Sequence, residues 1–393
     1  MGMKVDSPEI VFTLPPLDSI PDAQEDKPLP GRPLEEIGPL KVSSLVFGAA
    51  AWSHFYNDDA KLESDVPLRT IRLALRYGVW AFDTSPYYDS SEIVLGTALK
   101  ALELEFPRSS YQLITKCGRY GADYFDYSPE TIRKSVKRSL TRLHTTYLDV
   151  VYLHDVEFVT PRIEPRKEGN HGAALGDEAA AYGLKVGEEA KIWGEGDQKI
   201  LDAIAELRKL QAEGLIKHIG ISGLPLPTLL RIALLVLHTA PYRPLDVLMS
   251  YTQLTLQNDS LLTFLPAFTE RARIPQVITA SPLCMGLLTP SVPPWHPAPP
   301  AAHAAAKDAV HLCAGFEGGL PAIATAWAVK SAEDVGMATV IGLSSPFEVH
   351  RAVKSWRAVK EGEKADEIDE YARKARKTFE DVNMNEWVWP SYD

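Results

Sequence analysis

The sequence predicts an α/β protein built as a closed (β/α)8 TIM barrel, with a long insertion after strand 4 and an extension at each end. Three observations carry that expectation. Short apolar runs alternate with helical segments of roughly 10–15 residues, which implies a parallel sheet. Eight strand–helix units can be counted, which favours closure over an open doubly wound sheet. No G-x-G-x-x-G follows the first strand, so the usual signal of an open dinucleotide-binding sheet is missing.

The elements follow in order. Residues 1–35 are Pro-rich and aperiodic (Leu14-Pro15-Pro16, Leu29-Pro30-Gly31), as expected of a tail that is extended or disordered alone. The barrel is expected over 36–360. Its first strand is Leu45-Val46-Phe47-Gly48, followed by a helix over 67–76 with Leu68, Ile71 and Leu75 at helical spacing. Val79 to Phe82 is a strand stopped by Asp83, with a helix over 92–102 after it. Tyr111 to Thr115 is a strand stopped by Lys116. Ser128-Pro129-Glu130 opens a helix to about His144, with Ser at the N-cap and Pro at the first turn. Leu148 to Leu153 is a strand stopped by His154. The alternation then breaks over about 156–197, read as an insertion. It resumes with helices over 200–213, 225–237 and 258–272 and strands over 216–222, 246–251 and 276–280. A Pro-rich loop is expected over 289–305, then a helix over 321–330, a strand over 337–342 and a helix over 346–359. Residues 361–393 form a C-terminal extension.

Composition excludes several function classes. A net charge of −11 argues against nucleic acid and anionic membrane as partners. No apolar run approaches the ~18–20 residues of a membrane span. The three cysteines, Cys117, Cys284 and Cys313, cannot build a disulfide framework and fit no zinc spacing. No metal is expected. A reducing, cytoplasmic location is the simplest expectation. Residues 1–35 resemble neither a secretory signal nor an Arg-rich transit peptide.

The informative residues are the polar ones that stop the strands. Strand C-terminal ends share one face of a barrel, and active sites lie there. Asp83, Lys116 and His154 end strands two, three and four, and Tyr88 follows in the loop after Asp83. Each alone has an ordinary explanation as a cap, a solvated lysine or a packed ring. Together they make a general acid/base. An ammonium lowers a phenol pKa, a carboxylate holds the ammonium, and an imidazole can hydrogen-bond a substrate oxygen. That set suits a carbinol or carbonyl oxygen whose proton moves as a hydride is exchanged with nicotinamide.

Asp83-Thr84-Ser85-Pro86-Tyr87-Tyr88-Asp89-Ser90-Ser91-Glu92 resembles the signature of the aldo-keto reductases, as do Ile114-Thr115-Lys116 and Tyr152-Leu153-His154-Asp155. The resemblance covers roughly 37–360. It implies a (β/α)8 barrel binding NAD(P) at its C-terminal face, with Asp83, Tyr88, Lys116 and His154 as the catalytic tetrad. Asp89 stands where that family usually has Gly. Ile221-Ser222-Gly223-Leu224-Pro225, Ala280-Ser281-Pro282-Leu283-Cys284-Met285-Gly286 and Pro293-Pro294-Trp295-His296 resemble the family's aldose-oxidising branch, the fungal D-arabinose 1-dehydrogenases and plant L-galactose dehydrogenases. That likeness implies NAD-dependent oxidation of a sugar at C1 to its lactone. The alternatives are an NADPH-dependent carbonyl reductase on the same residues and a non-catalytic nucleotide-binding regulatory barrel.

The resemblance also implies cofactor contacts at Gly48, Ala49, Ser222, Ser250, Ser281, Leu283, Gly286, Ser344, Ser345 and Glu348. Ser344 and Ser345 precede a helix N-terminus, which suits an anion. Glu348 is expected to accept a hydrogen bond from a ribose 2′-OH and repel a 2′-phosphate, favouring NAD over NADP. Ala280 stands where many members have a Tyr stacked on nicotinamide. Trp52, His54, Phe55, Tyr56 and Tyr120 are expected at the rim, with Trp52 and Tyr120 touching a sugar substrate. The oligomeric state and the role of the insertion are left open.

Overall fold

Residues 36–43 fold into a hairpin before the barrel begins, a feature with no periodic signal in so short a segment. The computed structural model describes residues 12–362 and 364–390. Strands β1 (Glu36–Ile37) and β2 (Val42–Ser43) pair antiparallel. Ile37, Leu40 and Val42 join the apolar cluster that also holds Val46, Ala81, Ile114, Val150 and Ile278. Gln112, the first residue of a barrel strand, donates from Nε2 to the Leu40 carbonyl at 2.9 Å. The hairpin therefore plugs the N-terminal end of the barrel, and the opposite end stays available for chemistry.

Eight parallel strands close the barrel: β3 (Leu45–Gly48), β4 (Ala81–Asp83), β5 (Gln112–Cys117), β6 (Leu148–His154), β7 (Ile216–Gly223), β8 (Val247–Tyr251), β9 (Gln276–Ala280) and β10 (Ala338–Gly342). Each pairs with its sequence neighbours, and β10 pairs with β3 from Thr339↔Leu45 to Gly342↔Gly48. Burial on both faces explains why these strands read as apolar runs without alternation. A Cβ on Gly48 would meet the Ile341 carbonyl oxygen at 2.9 Å, so the closing seam favours the smallest residue.

Several elements depart from expectation. The Pro-rich loop ends sooner, because Pro300 opens a helix, Pro300–Leu312. Proline suits that first position, where no N–H is needed. The helix expected over 258–272 divides into Ser260–Pro266 and a wider turn, Ala267–Arg271, at Pro266. The C-terminal extension contains an amphipathic helix, Ala365–Glu380, burying Ile368, Ala372, Ala375 and Phe379. Ala372, Ala375 and Phe379 pack with Ala302, Ala305 and Ala309 in a second core beside the barrel.

The described part of the N-terminal tail is not free. Phe12, Ile20 and Leu34 are buried in the main core. Asp26 is fully buried and accepts from Arg69 Nε at 3.0 Å. The Leu29 N–H donates to Tyr77 Oη at 2.8 Å, and Arg357 donates to the Leu29, Pro30 and Arg32 carbonyls. Side-chain bonds to an aperiodic backbone leave no pattern for sequence to reveal. We predict that Asp26→Ala lowers stability by about 1–3 kcal/mol, the cost of a lost buried charge-assisted bond. A urea unfolding midpoint unchanged from wild type would show that the tail is not anchored there.

Candidate active site

Parallel register brings the strand-stopping residues together. Asp83 lies beside Gly48 and Ile114, Lys116 beside Tyr152, and His154 beside Ser222. Lys116 Nζ donates to Asp83 Oδ1 at 2.6 Å and to the Thr84 carbonyl at 3.0 Å. Both side chains are sealed, at 0% and 5% exposure. The same ammonium lies 4.7 Å from the Tyr88 ring centre. On its other side, Tyr88 meets the His154 ring edge-on, with centroids 5.6 Å apart and planes at 86°. A short helical turn, Pro86–Tyr88, aims the phenol, and Ser85 opens it by accepting the Tyr87 N–H at 3.1 Å.

Burial dominates the electrostatics. It pushes the Asp83 carboxyl up, against the pull of Lys116. It drives the Tyr88 phenol well above its ordinary value, helped by the Asp83 charge. The expected net lowering of the Tyr88 pKa by Lys116 is thus not met, because burial, with the Asp83 charge added, outweighs the pull of the ammonium. His154 is held well below the usual imidazole range, first by burial and then by Lys116 and Arg119. Around neutral pH the site holds a phenol O–H and a neutral imidazole.

An acidic shelf lies next to His154. Asp155 is buried, has a left-handed backbone (φ 56°), and places Oδ2 3.6 Å from His154 Nε2. Arg119 pairs with this carboxylate, reaches Tyr87 Oη at 3.2 Å and stacks 4.0 Å from the Tyr87 ring centre. Glu157 Oε1 accepts the Leu224 N–H at 2.8 Å. Its other oxygen fills the space over Gly223, where a Cβ would meet it at 2.2 Å. Sequence reasoning assigned no role to Arg119, Asp155, Glu157 or Ser85. Asp155 and Ser85 carried a signal, since Asp155 directly follows His154 and Ser85 lies in the short loop between Asp83 and Tyr88; Arg119 carried none.

The expected substrate residues divide. Tyr120 is buried, and its hydroxyl accepts the Gly118 N–H of its own loop at 3.0 Å. It packs inward, whereas the side chain of its neighbour Arg119 reaches Tyr87 and Asp155. Trp52 is likewise buried, edge-on to Phe47 at 5.2 Å. Phe55, Tyr56 and Trp295 are exposed, with Phe55 against Tyr87 and Tyr56 against Trp295. His54 sits between the Asp59 and Asp89 carboxylates and ties their loop to the residue after Tyr88.

Residues 44–373 match the model of the Aldo/keto reductase family. The chain belongs to that family. It is 36% identical over 333 residues to D-arabinose 1-dehydrogenase of Saccharomyces cerevisiae, covering 83% of this chain and 87% of the relative. It is also 36% identical over 317 residues to L-galactose dehydrogenase of Arabidopsis thaliana, covering 80% and 84%. A solved aldo-keto reductase from Bacillus halodurans superposes with a TM-score of 0.59 at 21% identity, over 88% of this chain and 96% of that one, and shares the fold. The protein is thus an oxidoreductase, and its family uses nicotinamide cofactors.

In this aldo-keto reductase the expected cofactor residues lie at or just after the C-terminal ends of β7 to β10 and β3. Ser222 and Ser250 end strands and make only long bonds, at 3.4 Å, to the Leu153 and Leu224 carbonyls. Ser281, with φ 61°, and Gly286, with φ 97°, shape the turn that carries Leu283. Ala49 offers its carbonyl to Ser91 Oγ at 2.7 Å. Ser345 caps the helix Pro346–Lys360. Glu348 folds back, and its Oε2 accepts the Ser344 N–H at 2.6 Å and Ser344 Oγ at 2.9 Å. The carboxylate expected to read a ribose hydroxyl is therefore already engaged as part of the helix cap. Lys61, absent from the sequence reading, donates to Ser344 Oγ at 3.0 Å. The Lys61 ammonium and the Ser222 and Ser250 hydroxyls, whose internal bonds are long, fit the polar groups of a dinucleotide. No group of residues able to hold a metal ion occurs among the described residues, and none of the described helices is long and apolar enough to cross a membrane.

Lys116→Ala is expected to cost about 3–5 kcal/mol, because it leaves Asp83 buried without a counter-charge. Pairing Lys116→Met with Asp83→Asn should recover more than half of that loss in urea unfolding. A double variant as unstable as the single one would mean that the two groups are not coupled.

Proposed function

We propose that the protein oxidises an aldose, D-arabinose or an L-galactose-like sugar, at C1 to the aldonolactone with NAD. The observation that carries this reading is the phenol of Tyr88 held between the sealed Lys116–Asp83 pair and the neutral ring of His154. The names of the two relatives sharing 36% identity supply the sugar class.

In this reading His154 and Tyr88 share the anomeric oxygen. His154 donates a hydrogen bond to it, and Tyr88 Oη takes its proton. Tyr88 reacts as its phenolate and becomes the phenol; Lys116 stabilises that phenolate before the transfer, and Asp83 holds the ammonium in place. A bound nicotinamide supplies the acceptor for the C1 hydrogen and its electron pair. Ser222, Ser250, Ser281, Leu283 and Gly286 would hold its nicotinamide and pyrophosphate side, with Gly48 and Ala49 beneath. Ser344, Ser345 and the helix they open would hold the adenosine side. Tyr251, register partner of Ala280, brings a ring next to the position where the family's stacking Tyr is missing. Arg119, Asp155 and the exposed rings of Phe55, Tyr56 and Trp295 face the sugar, since aromatic faces suit its C–H surface.

NAD is favoured because the Glu348 carboxylate already occupies the Ser344 donors that a 2′-phosphate would need. Lys61 at the same hydroxyl supports a second reading, an NADPH-dependent carbonyl reductase. Fluorescence titration separates them: NADH should bind at least about tenfold more tightly than NADPH, a difference of ~1.4 kcal/mol. A preference for NADPH would overturn the NAD reading. NADH formation from D-arabinose, L-galactose, L-fucose and L-xylose tests the substrate class, and inactivity on all of them would refute it.

Two further outcomes are expected. Tyr88→Phe abolishes turnover while cofactor titration stays near wild type; normal turnover would sink the mechanism. Because burial raises the Tyr88 phenol above its ordinary value, sugar oxidation should keep rising with pH from 7 to 10, as the base form becomes available. Carbonyl reduction, which needs the O–H form, should stay flat over the same range. An oxidation plateau below pH 8 would show that another group limits the reaction.

A further inference from the structure

Ser85 is buried, and its hydroxyl has two neighbours. The Tyr87 N–H donates to Oγ at 3.1 Å, and His154 Nδ1 lies 2.9 Å away. An amide N–H can only donate, so the Ser85 proton has one acceptor in reach, the Nδ1 lone pair. If Nδ1 carried the proton instead, Ser85 Oγ would accept twice and its own O–H would be buried with no acceptor. That arrangement is disfavoured by about tenfold or more. The other side of the ring agrees. His154 Nε2 faces Asp155 Oδ2 at 3.6 Å, too long for a hydrogen bond. A carboxylate field still favours an N–H over a lone pair there.

We infer that Ser85 is a positioning residue that fixes His154 in the Nε2–H tautomer. The ring thereby presents a donor to the oxygen on which Tyr88 acts. Ser85 does not touch substrate; it works through His154. Its backbone is set two residues after Asp83 and opens the turn that aims Tyr88. One short loop thus supplies the carboxylate, the tautomer control and the phenol. The inference rests on the proposed function for the identity of the oxygen, but the tautomer does not depend on it.

The test is a long-range proton–nitrogen correlation spectrum of the full-length, histidine-labelled protein, with His154 assigned by its loss in His154→Gln. Wild type should show a single Nε2–H tautomer. Ser85→Ala should give a mixture of tautomers, and Ser85→Thr, which keeps the hydroxyl, should restore the wild-type pattern. Turnover with D-arabinose should fall about tenfold in Ser85→Ala, mostly in kcat, and recover in Ser85→Thr. A wild-type spectrum with Nδ1–H, or a Ser85→Ala spectrum that keeps pure Nε2–H, would overturn the inference. If Ser85→Ala fails to fold, the wild-type spectrum alone decides. Failure of the wild type to oxidise any sugar would refute the proposed function and leave the tautomer result standing.

Discussion

Strand β3 has two neighbours, and the second of them, β10, lies almost three hundred residues further along the chain. That pairing closes the barrel, and everything at the rim depends on it. Closure forces the C-terminal ends of all eight strands into one ring, so residues far apart in sequence become neighbours by register alone. Asp83, Lys116 and His154 meet because β4, β5 and β6 are adjacent and parallel. The same closure brings the loop after β10, with Ser344 and Glu348, within reach of Lys61 after β3. The hairpin at the opposite end fills the barrel floor with Ile37, Leu40 and Val42, which leaves a single open mouth.

The rim then carries an electrostatic problem. It holds a sealed ion pair, a second buried pair at Asp155 and Arg119, and a third acid at Glu157. Burial raises each of these three carboxyls, raises Tyr88 and lowers His154. The resting site is accordingly arranged around neutral forms: a phenol that keeps its proton and an imidazole without one to spare. Polarity comes from fixed donors and acceptors more than from mobile charge, which is the form of preorganisation that costs little to rearrange during reaction.

The additions to the barrel brace its mouth. Gln257 donates to the Met384 and Trp387 carbonyls at 2.7 and 3.0 Å, and Gly169 of the insertion pairs with Val388. Trp389 packs edge-on against His296 at 5.1 Å, and His296 donates to the Cys284 carbonyl at 2.8 Å. Insertion and C-terminal tail therefore grip the loop that carries Leu283, Gly286 and Trp295. The N-terminal tail does comparable work on the outside, across the helices Val66–Tyr77 and Pro346–Lys360.

The barrel strands were legible because both their faces are buried, which writes each one as an apolar run ended by a polar residue. Asp83, Lys116 and His154 could be picked out for the same reason, and Tyr88 by its motif. The hairpin at 36–43, the tail contacts and the helix Ala365–Glu380 were not picked out: the first two have no period, and the last is amphipathic but lies beyond the repeating units. Nor could sequence show that Tyr120, expected at the rim, turns inward while its neighbour Arg119 meets Tyr87, since adjacent residues in a loop differ only in which way the backbone turns them. The sequence by itself determined the fold class, the family and the chemical type of the rim. Tertiary structure alone decided that Glu348 caps its own helix, that Ser85 faces His154, and that burial raises the Tyr88 phenol above its ordinary value. Those outcomes depend on distances of a few ångströms and on exclusion of water, which exist only once the barrel has closed.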